Sequence, residues 1–319
     1  MKKIRLLYIC LASALLSIGS YAKGTDLDKI VATVNDDVIT TSELKQALTA
    51  ANLQIAQEHA PPPSESALKK QVLEQLINKK LQLQIAELTG VQVSEDELDN
   101  TVNKIAEQNN LSVDELYQRL QQEGLSSTEY RSEMRDQITI HRLQQQEVAG
   151  KVKVSPQEIA TFIKSKSWQT NSDKEYHLED ILIPLSDTPS PEEIAAAKKR
   201  ADMVMTELHN GKSFSALAQS ESGGSNALQG GDLGWRKLAE IPSAFADKIV
   251  HMRAKEVAGP IQTPNGFHII SLSAERSIGN QATPDRRQVE ELLLQRKFEE
   301  AAQNWVSRLR SQAFISIKS

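Results

Sequence analysis

Gly230-Gly-Asp-Leu-Gly-Trp235, Gly259-Pro-Ile261 and Gly266-Phe-His-Ile-Ile270 occur in this order, and their surroundings decide how the chain is read. A lone Gly-Gly pair would mark only a tight turn, because glycine tolerates φ > 0. Here the glycines are bracketed by strands. Upstream, Glu175-Tyr-His-Leu-Glu-Asp-Ile-Leu-Ile183 is an apolar-rich run stopped by Pro184, and downstream Gly266 to Leu272 is another. Between them the pattern predicts a long helix from about Pro191, a short one carrying Phe214, Leu217 and Ala218, and a helical turn around Phe245. The expected order is β-α-α-α-β, with one more short strand near Val257 to Ile261.

On the N-terminal side, Lys29-Ile-Val-Ala-Thr-Val34 turns through Asn35-Asp36-Asp37 into Val38-Ile39, a hairpin pattern. Thr40 with Glu43 forms a capping-box pair that starts a helix running to about His59, before Pro61-Pro62-Pro63. The next helix, from Ser64 to Gly90, carries a wide apolar face (Leu68, Val72, Leu73, Leu76, Ile77, Ile85, Leu88) and reads as the centre of its domain. Ser94 with Glu97, Ser112 with Glu115, Ser126 with Glu129 and Ser155 with Glu158 each start a further helix, the last with Pro156 at its first position. Pro284 to Arg310 predicts a long amphipathic helix, and Ala313-Phe-Ile-Ser-Ile317 alternates like a strand. A lone terminal strand needs a partner, and the free one is the hairpin at 29–39, so the two chain ends are expected to meet there.

Residues 1–22 carry Lys2, Lys3 and Arg5 ahead of an apolar run and then Ser20-Tyr-Ala22, the pattern of a secretory signal peptide rather than a membrane span. Cys10, the only cysteine, lies inside that run, so a mature chain starting at Lys23 has no thiol and is indifferent to an oxidising compartment. Removing three basic and no acidic residues takes the formal net charge from −5 to −8, a poor balance for nucleic-acid binding. Neither a phosphate loop nor a Cys/His ligand cluster appears, so neither nucleotide nor metal is expected and the cofactor reading is none.

The three glycine-centred motifs, in order over about a hundred residues, resemble the parvulin family of peptidyl-prolyl cis/trans isomerases. The flanks resemble the SurA-type periplasmic chaperones: Val31-Ala-Thr-Val-Asn35 with Ile39, the helices to about residue 166, and Arg296-Lys-Phe298 with Trp305 and the last strand. One departure is plain, since that family's pattern carries two parvulin domains in tandem and this chain has room for one. The resemblance implies an α+β protein, in which a mostly helical chaperone domain built from both ends holds one inserted parvulin-like domain. Its expected boundaries are 1–22 for the signal, 23–172 for the N-terminal helical part, 173–278 for the parvulin unit and 279–319 for the closing helix and strand.

Isomerisation about X-Pro needs no covalent step, only an apolar seat for the proline ring and a site that favours the twisted amide. By resemblance the seat is Leu233, Ile241 and Phe245, residues that read equally as ordinary core. The family's polar half pairs two histidines with a loop cysteine or aspartate. His268 matches the last histidine, Asp180 stands where the first belongs, and Gly223 occupies the loop position, with Glu221 and Ser222 beside it. His177 is offset from Asp180 by an odd number of residues and so should face the other side of the strand. Taken alone, His268 reads as a structural histidine that ties strands together. The leading functional reading is therefore an ATP-independent periplasmic chaperone for unfolded outer-membrane β-barrel proteins, with weak or lost isomerase activity. The alternative is an active isomerase on exported proteins. Implied partners are unfolded outer-membrane and other exported polypeptides, with the outer-membrane assembly machinery as a further candidate, and no nucleic acid, nucleotide or stable membrane insertion.

Overall fold

The computed structural model describes residues 28–57, 63–278 and 285–318, so the expected signal peptide lies outside the described residues. Strand β1 (Ile30–Val34) turns through Asn35, at φ 53, into β2 (Asp37–Thr40). Asparagine suits that left-handed position because its short polar side chain tolerates it. Helix α1 (Thr41–Gln57) follows, and Thr40 and Glu43 exchange the expected cap bonds at 2.8 and 3.3 Å. Helix α2 (Glu65–Leu88) buries Leu68, Val72, Leu73, Ile77 and Leu81, then α3 (Glu95–Gln108), α4 (Val113–Gln122) and α5 (Ser127–Glu147) pack as a small satellite bundle. Reciprocal capping boxes form at Ser112, Ser126 and Ser155, whereas at Ser94 only the serine side chain caps. Helices α6 (Pro156–Lys164) and α7 (Lys166–Asn171) lead into the parvulin-like unit.

That unit runs β3 (Lys174–Pro184), α8 (Pro191–His209), α9 (Phe214–Glu221), β4 (Asp232–Lys237), a 3-10 turn at Leu238–Glu240, α10 (Ser243–Ile249), β5 (Glu256–Thr263) and β6 (Gly266–Ser277). The four strands form an antiparallel sheet in the order β4-β3-β6-β5. Strand β4 was not expected from the sequence: Asp-Leu-Gly-Trp-Arg-Lys has no β-branched residue and no clean alternation, and pairing to β3 makes it a strand. Sheet faces divide by parity. Ile181, Ile183, Phe267 and Ile269 pack under α8 and α9, while Tyr176, Leu178, Ile270 and Leu272 face the core shared with α10.

After the unit, α11 (Arg286–Gln312) is capped by Asp285, two residues later than the helix start expected at Pro284, which lies outside the described residues. Strand β7 is shorter than expected, Ile315–Ile317, and pairs antiparallel with β1, placing Thr33 opposite Ser316. Asn35 fixes the join, since its backbone N–H donates to the Phe314 carbonyl and its side-chain oxygen accepts from the Phe314 N–H, at 2.8 and 2.9 Å. The three-stranded sheet β2-β1-β7 buries Ala32, Val34 and Ile39 against α1 and α2, with Leu309, Ala313 and Ile315 from the far end of the chain. The fold is α+β, as expected.

Candidate functional site

Antiparallel register places Leu182 opposite His268 and Asp180 opposite Ile270, so all four side chains lie on one face of the sheet. His268 Nδ1 lies 2.9 and 3.0 Å from the two oxygens of the Asp180 carboxylate. An ionised carboxylate only accepts, so the proton of this contact belongs to the ring nitrogen. Nε2 lies 3.1 Å from Asn265 Oδ1, which also accepts from the Thr263 hydroxyl. The carboxylate thereby fixes the ring at Nδ1, and the His268 side chain is only 5% exposed, against 15% for Asp180. Phe245 stacks on it at 4.9 Å between centroids, tilted by 54°.

The expected pocket residues gather here. Ile241 is 0% and Phe245 4% exposed, and half-buried Leu233 packs against the same cluster. The cluster does not stop at the parvulin-like unit: Ile159 from α6, Trp168 from α7, and Val289 and Leu293 from α11 belong to it. These side chains fill one continuous apolar layer, as the ordinary-core reading expects.

The glycines have specific jobs. Gly231, at φ +83, sits where a Cβ would lie 2.5 Å from the Asp180 carbonyl oxygen, and the Asp180 N–H donates to its carbonyl at 2.8 Å. Only glycine allows that approach beside the carboxylate. Gly223 is pressed onto β3, where a Cβ would meet the Pro184 ring at 2.8 Å, and its N–H donates to the Leu182 carbonyl at 2.7 Å. The missing loop side chain is therefore replaced by close backbone packing. Its neighbour Ser222 is buried and its hydroxyl oxygen accepts from the N–H groups of Leu182 and Gly224, both at 3.1 Å. Glu221 is engaged elsewhere, in an ion pair with Arg200 at 2.7 Å. His177 faces away, as its odd offset requires, with Nε2 3.3 Å from Asp232 and its ring 5.2 Å from that of Trp235.

Sequence reasoning missed Asn265, although it lies in the Thr263-Pro-Asn-Gly266 turn three residues before His268, where a side chain can reach back to the ring. It also missed the terminal-domain contacts: Arg296 Nη1 donates to the Ile241 carbonyl at 3.3 Å, Asn265 Nδ2 donates to Gln303 Oε1 at 3.4 Å, and Gln71 donates to the Ser222 carbonyl. The arrangement sets one imidazole and one carboxylate beside a packed apolar cluster, with no group placed for covalent chemistry among them.

A PPIC-type peptidyl-prolyl isomerase domain model matches residues 180–274, and a SurA N-terminal domain model matches residues 27–144. Chaperone SurA of Legionella pneumophila strain Philadelphia 1 is 40% identical over 83% of this chain and 62% of its own length. Chaperone SurA of Pseudomonas aeruginosa is 36% identical over 89% of this chain and 68% of its own. Among solved structures, a PpiC-type isomerase domain is 33% identical over 33% of this chain and 94% of its own, with a TM-score of 0.30. A SurA-like chaperone of Campylobacter jejuni is 16% identical over 91% of this chain and 99% of its own, with a TM-score of 0.41. The domain around His268 is thus of the parvulin class. The chain as a whole belongs to the SurA chaperone family, spanning about three-fifths of the length of the first relative named.

Proposed function

We propose that this chain is an ATP-independent periplasmic chaperone that holds unfolded outer-membrane β-barrel proteins, with its main client contact in the terminal helical domain and with weak or lost isomerase activity. The observation that carries this reading is the pairing of β7 with β1, which makes one body of both chain ends, far more apparatus than proline isomerisation needs. Residues 23–172 and 279–319 form that domain and 173–278 the inserted parvulin unit. Export follows from the leader pattern of residues 1–22. Outer-membrane strands alternate apolar and polar residues and stack when left unshielded. Aliphatic surface suits such clients because burial contributes about 25 cal/mol per Å² without demanding a sequence.

Weak isomerase activity follows from the polar set, in which Asp180 holds His268 and Gly223 offers no side chain. The test is light scattering from a denatured outer-membrane β-barrel diluted with and without the mature chain. Suppression should occur without nucleotide and should survive Phe245→Ala. Absence of suppression by the folded chain would overturn the reading.

A further inference from the structure

The satellite bundle carries a polar cleft that the site around His268 does not use. It lies where α4 turns into α5, has a volume of about 350 Å³, and is lined by Asp114, Tyr117, Gln118 and Gln121 of α4 with Ser126 and Ser127 at the start of α5. Positions 114, 117, 118 and 121 follow the i, i+3, i+4, i+7 spacing by which a helix normally lays an apolar stripe on its neighbour. On α4 the apolar stripe is a different one, Val113, Leu116 and Leu120, which packs with α3 and α5 in the satellite core. The polar stripe is left facing the cleft.

Its lining is uncommitted. The side chains of Asp114, Gln118, Gln121 and Ser127 are exposed and have no hydrogen-bond or ion-pair partner among the described residues. Ser126, by contrast, is spent on the α5 cap, where it exchanges bonds with Glu129. Half-buried Tyr117 forms a fixed wall, its ring set edge-on to Tyr130 at 6.4 Å and 75°. Of the lining residues only Asp114 is charged. Arg131, which reaches the Tyr117 hydroxyl at 3.5 Å, already pairs with Glu95 and Asp99 at 2.8 and 2.6 Å. Arg119 lies five positions from Asp114, on another side of α4, and pairs with Glu123 at 3.8 Å. The cleft therefore combines one unopposed carboxylate with amides and a hydroxyl that both donate and accept.

We propose that this cleft is a subsidiary client site that takes an extended polar segment carrying a lysine or arginine, with the cation on Asp114 and the main chain on Gln118, Gln121 and Ser127. Asp114 and Gln121 stand about 10 Å apart along α4 at ~1.5 Å per residue, the span of about three residues of extended chain at ~3.3 Å each. The volume sits at the low end of the ~300–1,000 Å³ of ligand clefts, room for a side chain and its backbone and not for a folded partner. The proposal rests on reading the chain as a holder of unfolded proteins. Strands of an outer-membrane barrel are apolar on alternate residues only, and aliphatic surface covers that half. A cleft of donors, acceptors and one carboxylate serves the polar half. Because Asp114 is exposed, the contact is weak, screened by salt and readily released.

The test is an NMR titration of the full mature chain with the peptide Thr-Gln-Lys-Asn-Thr, read at the side-chain amide resonances of Gln118 and Gln121, beside the same peptide with norleucine in place of lysine. Both resonances should shift with the lysine peptide. Asp114→Asn should weaken its Kd by ~2–5-fold, the scale of one exposed ion pair, and leave the norleucine peptide unaffected. Salt at ~0.5 M should abolish that difference. Gln118→Ala/Gln121→Ala should weaken both peptides, and because all three positions are exposed these variants keep the fold. Silence of both resonances, or a lysine-peptide Kd equal in the unmodified chain and Asp114→Asn, overturns the cleft site. Suppression of β-barrel aggregation by the same samples separates the two readings. If it persists while the cleft is silent, only the cleft falls. If it is absent while the cleft binds the lysine peptide, the holdase reading falls and the cleft stands as a peptide site.

Discussion

His268 and Asp180 meet diagonally across β6 and β3, with the ring nitrogen Nδ1 centred on both carboxylate oxygens, at 2.9 and 3.0 Å. The family pattern has a second imidazole at this point. A carboxylate there holds the remaining ring in one orientation, and the contact is nearly dry. Removing one partner leaves the other buried and unpaired, which for a hydrogen bond to a charged group costs about 1.5–3 kcal/mol. Asp180→Ala should lower stability by that amount in urea unfolding. Isomerase activity on proline peptides should be far below that of an active parvulin, by ~10²–10⁴ if polar support is worth here what it is in acid–base steps. An activity equal to an active parvulin and abolished by His268→Ala would contradict this.

Trp168 belongs to α7 yet packs in the same core as Ile241 and Phe245. Large-to-small changes at such sites cost about 3–5 kcal/mol through lost burial and the cavity left behind. Trp168→Ala should therefore lower the unfolding midpoints of the terminal domain and the parvulin unit together. Two separated transitions, with only one shifted, would show that the shared core does not couple them.

The terminal strand makes a separate prediction. Deleting 313–319 removes the β7 ladder, the Asn35–Phe314 bonds and the cover that Ile315 gives the terminal core. Amide exchange in β1 should accelerate well beyond that in β6, which has partners on both sides. Unchanged protection of β1 would contradict the pairing.

Glu158 and Lys297 connect α6 to α11. The hydrogen bond from Lys297, with further bonds from Ser155, holds the Glu158 carboxyl down to about 2. A folded-state value below the unfolded one adds stability at pH above about 4.5, and that contribution is lost as pH falls toward about 2. Lys297→Met should flatten the acid side of the stability profile in this window and leave the profile above pH 6 parallel to that of the parent. Because the pair is largely exposed, the effect should be small and weakened by salt. An unchanged acid limb in Lys297→Met would remove the pair from the account.

Much of this architecture is legible in the residues, and the reasons differ from place to place. Helix starts at Ser112, Ser126 and Ser155 are local events, a hydroxyl and a carboxylate satisfying nearby N–H groups, and need no knowledge of the rest of the chain. The β1–β7 pairing was accessible because an unpaired strand at one end demanded a partner and the other end offered one. Strand β4 was hidden because its strand character is conferred by β3, not by its own side chains. Asp180 and His268 could be placed by motif, but that they touch follows from the register, which the sequence does not display. Arg296 and Gln303 look like solvent-facing positions on an amphipathic helix. Only the docking of α11 against the parvulin unit turns one into a half-buried donor to the Ile241 carbonyl and the other into a partner for Asn265.

Where the client sits is best tested by crosslinking. A photo-reactive outer-membrane β-barrel precursor, bound unfolded to the full mature chain without nucleotide, is crosslinked and the attachment sites mapped by mass spectrometry. Most sites should fall in the proposed terminal helical domain, with few in the proposed parvulin unit, where Ile241 and Phe245 are buried. A map concentrated in 173–278, with the terminal domain shown to be folded, would contradict it.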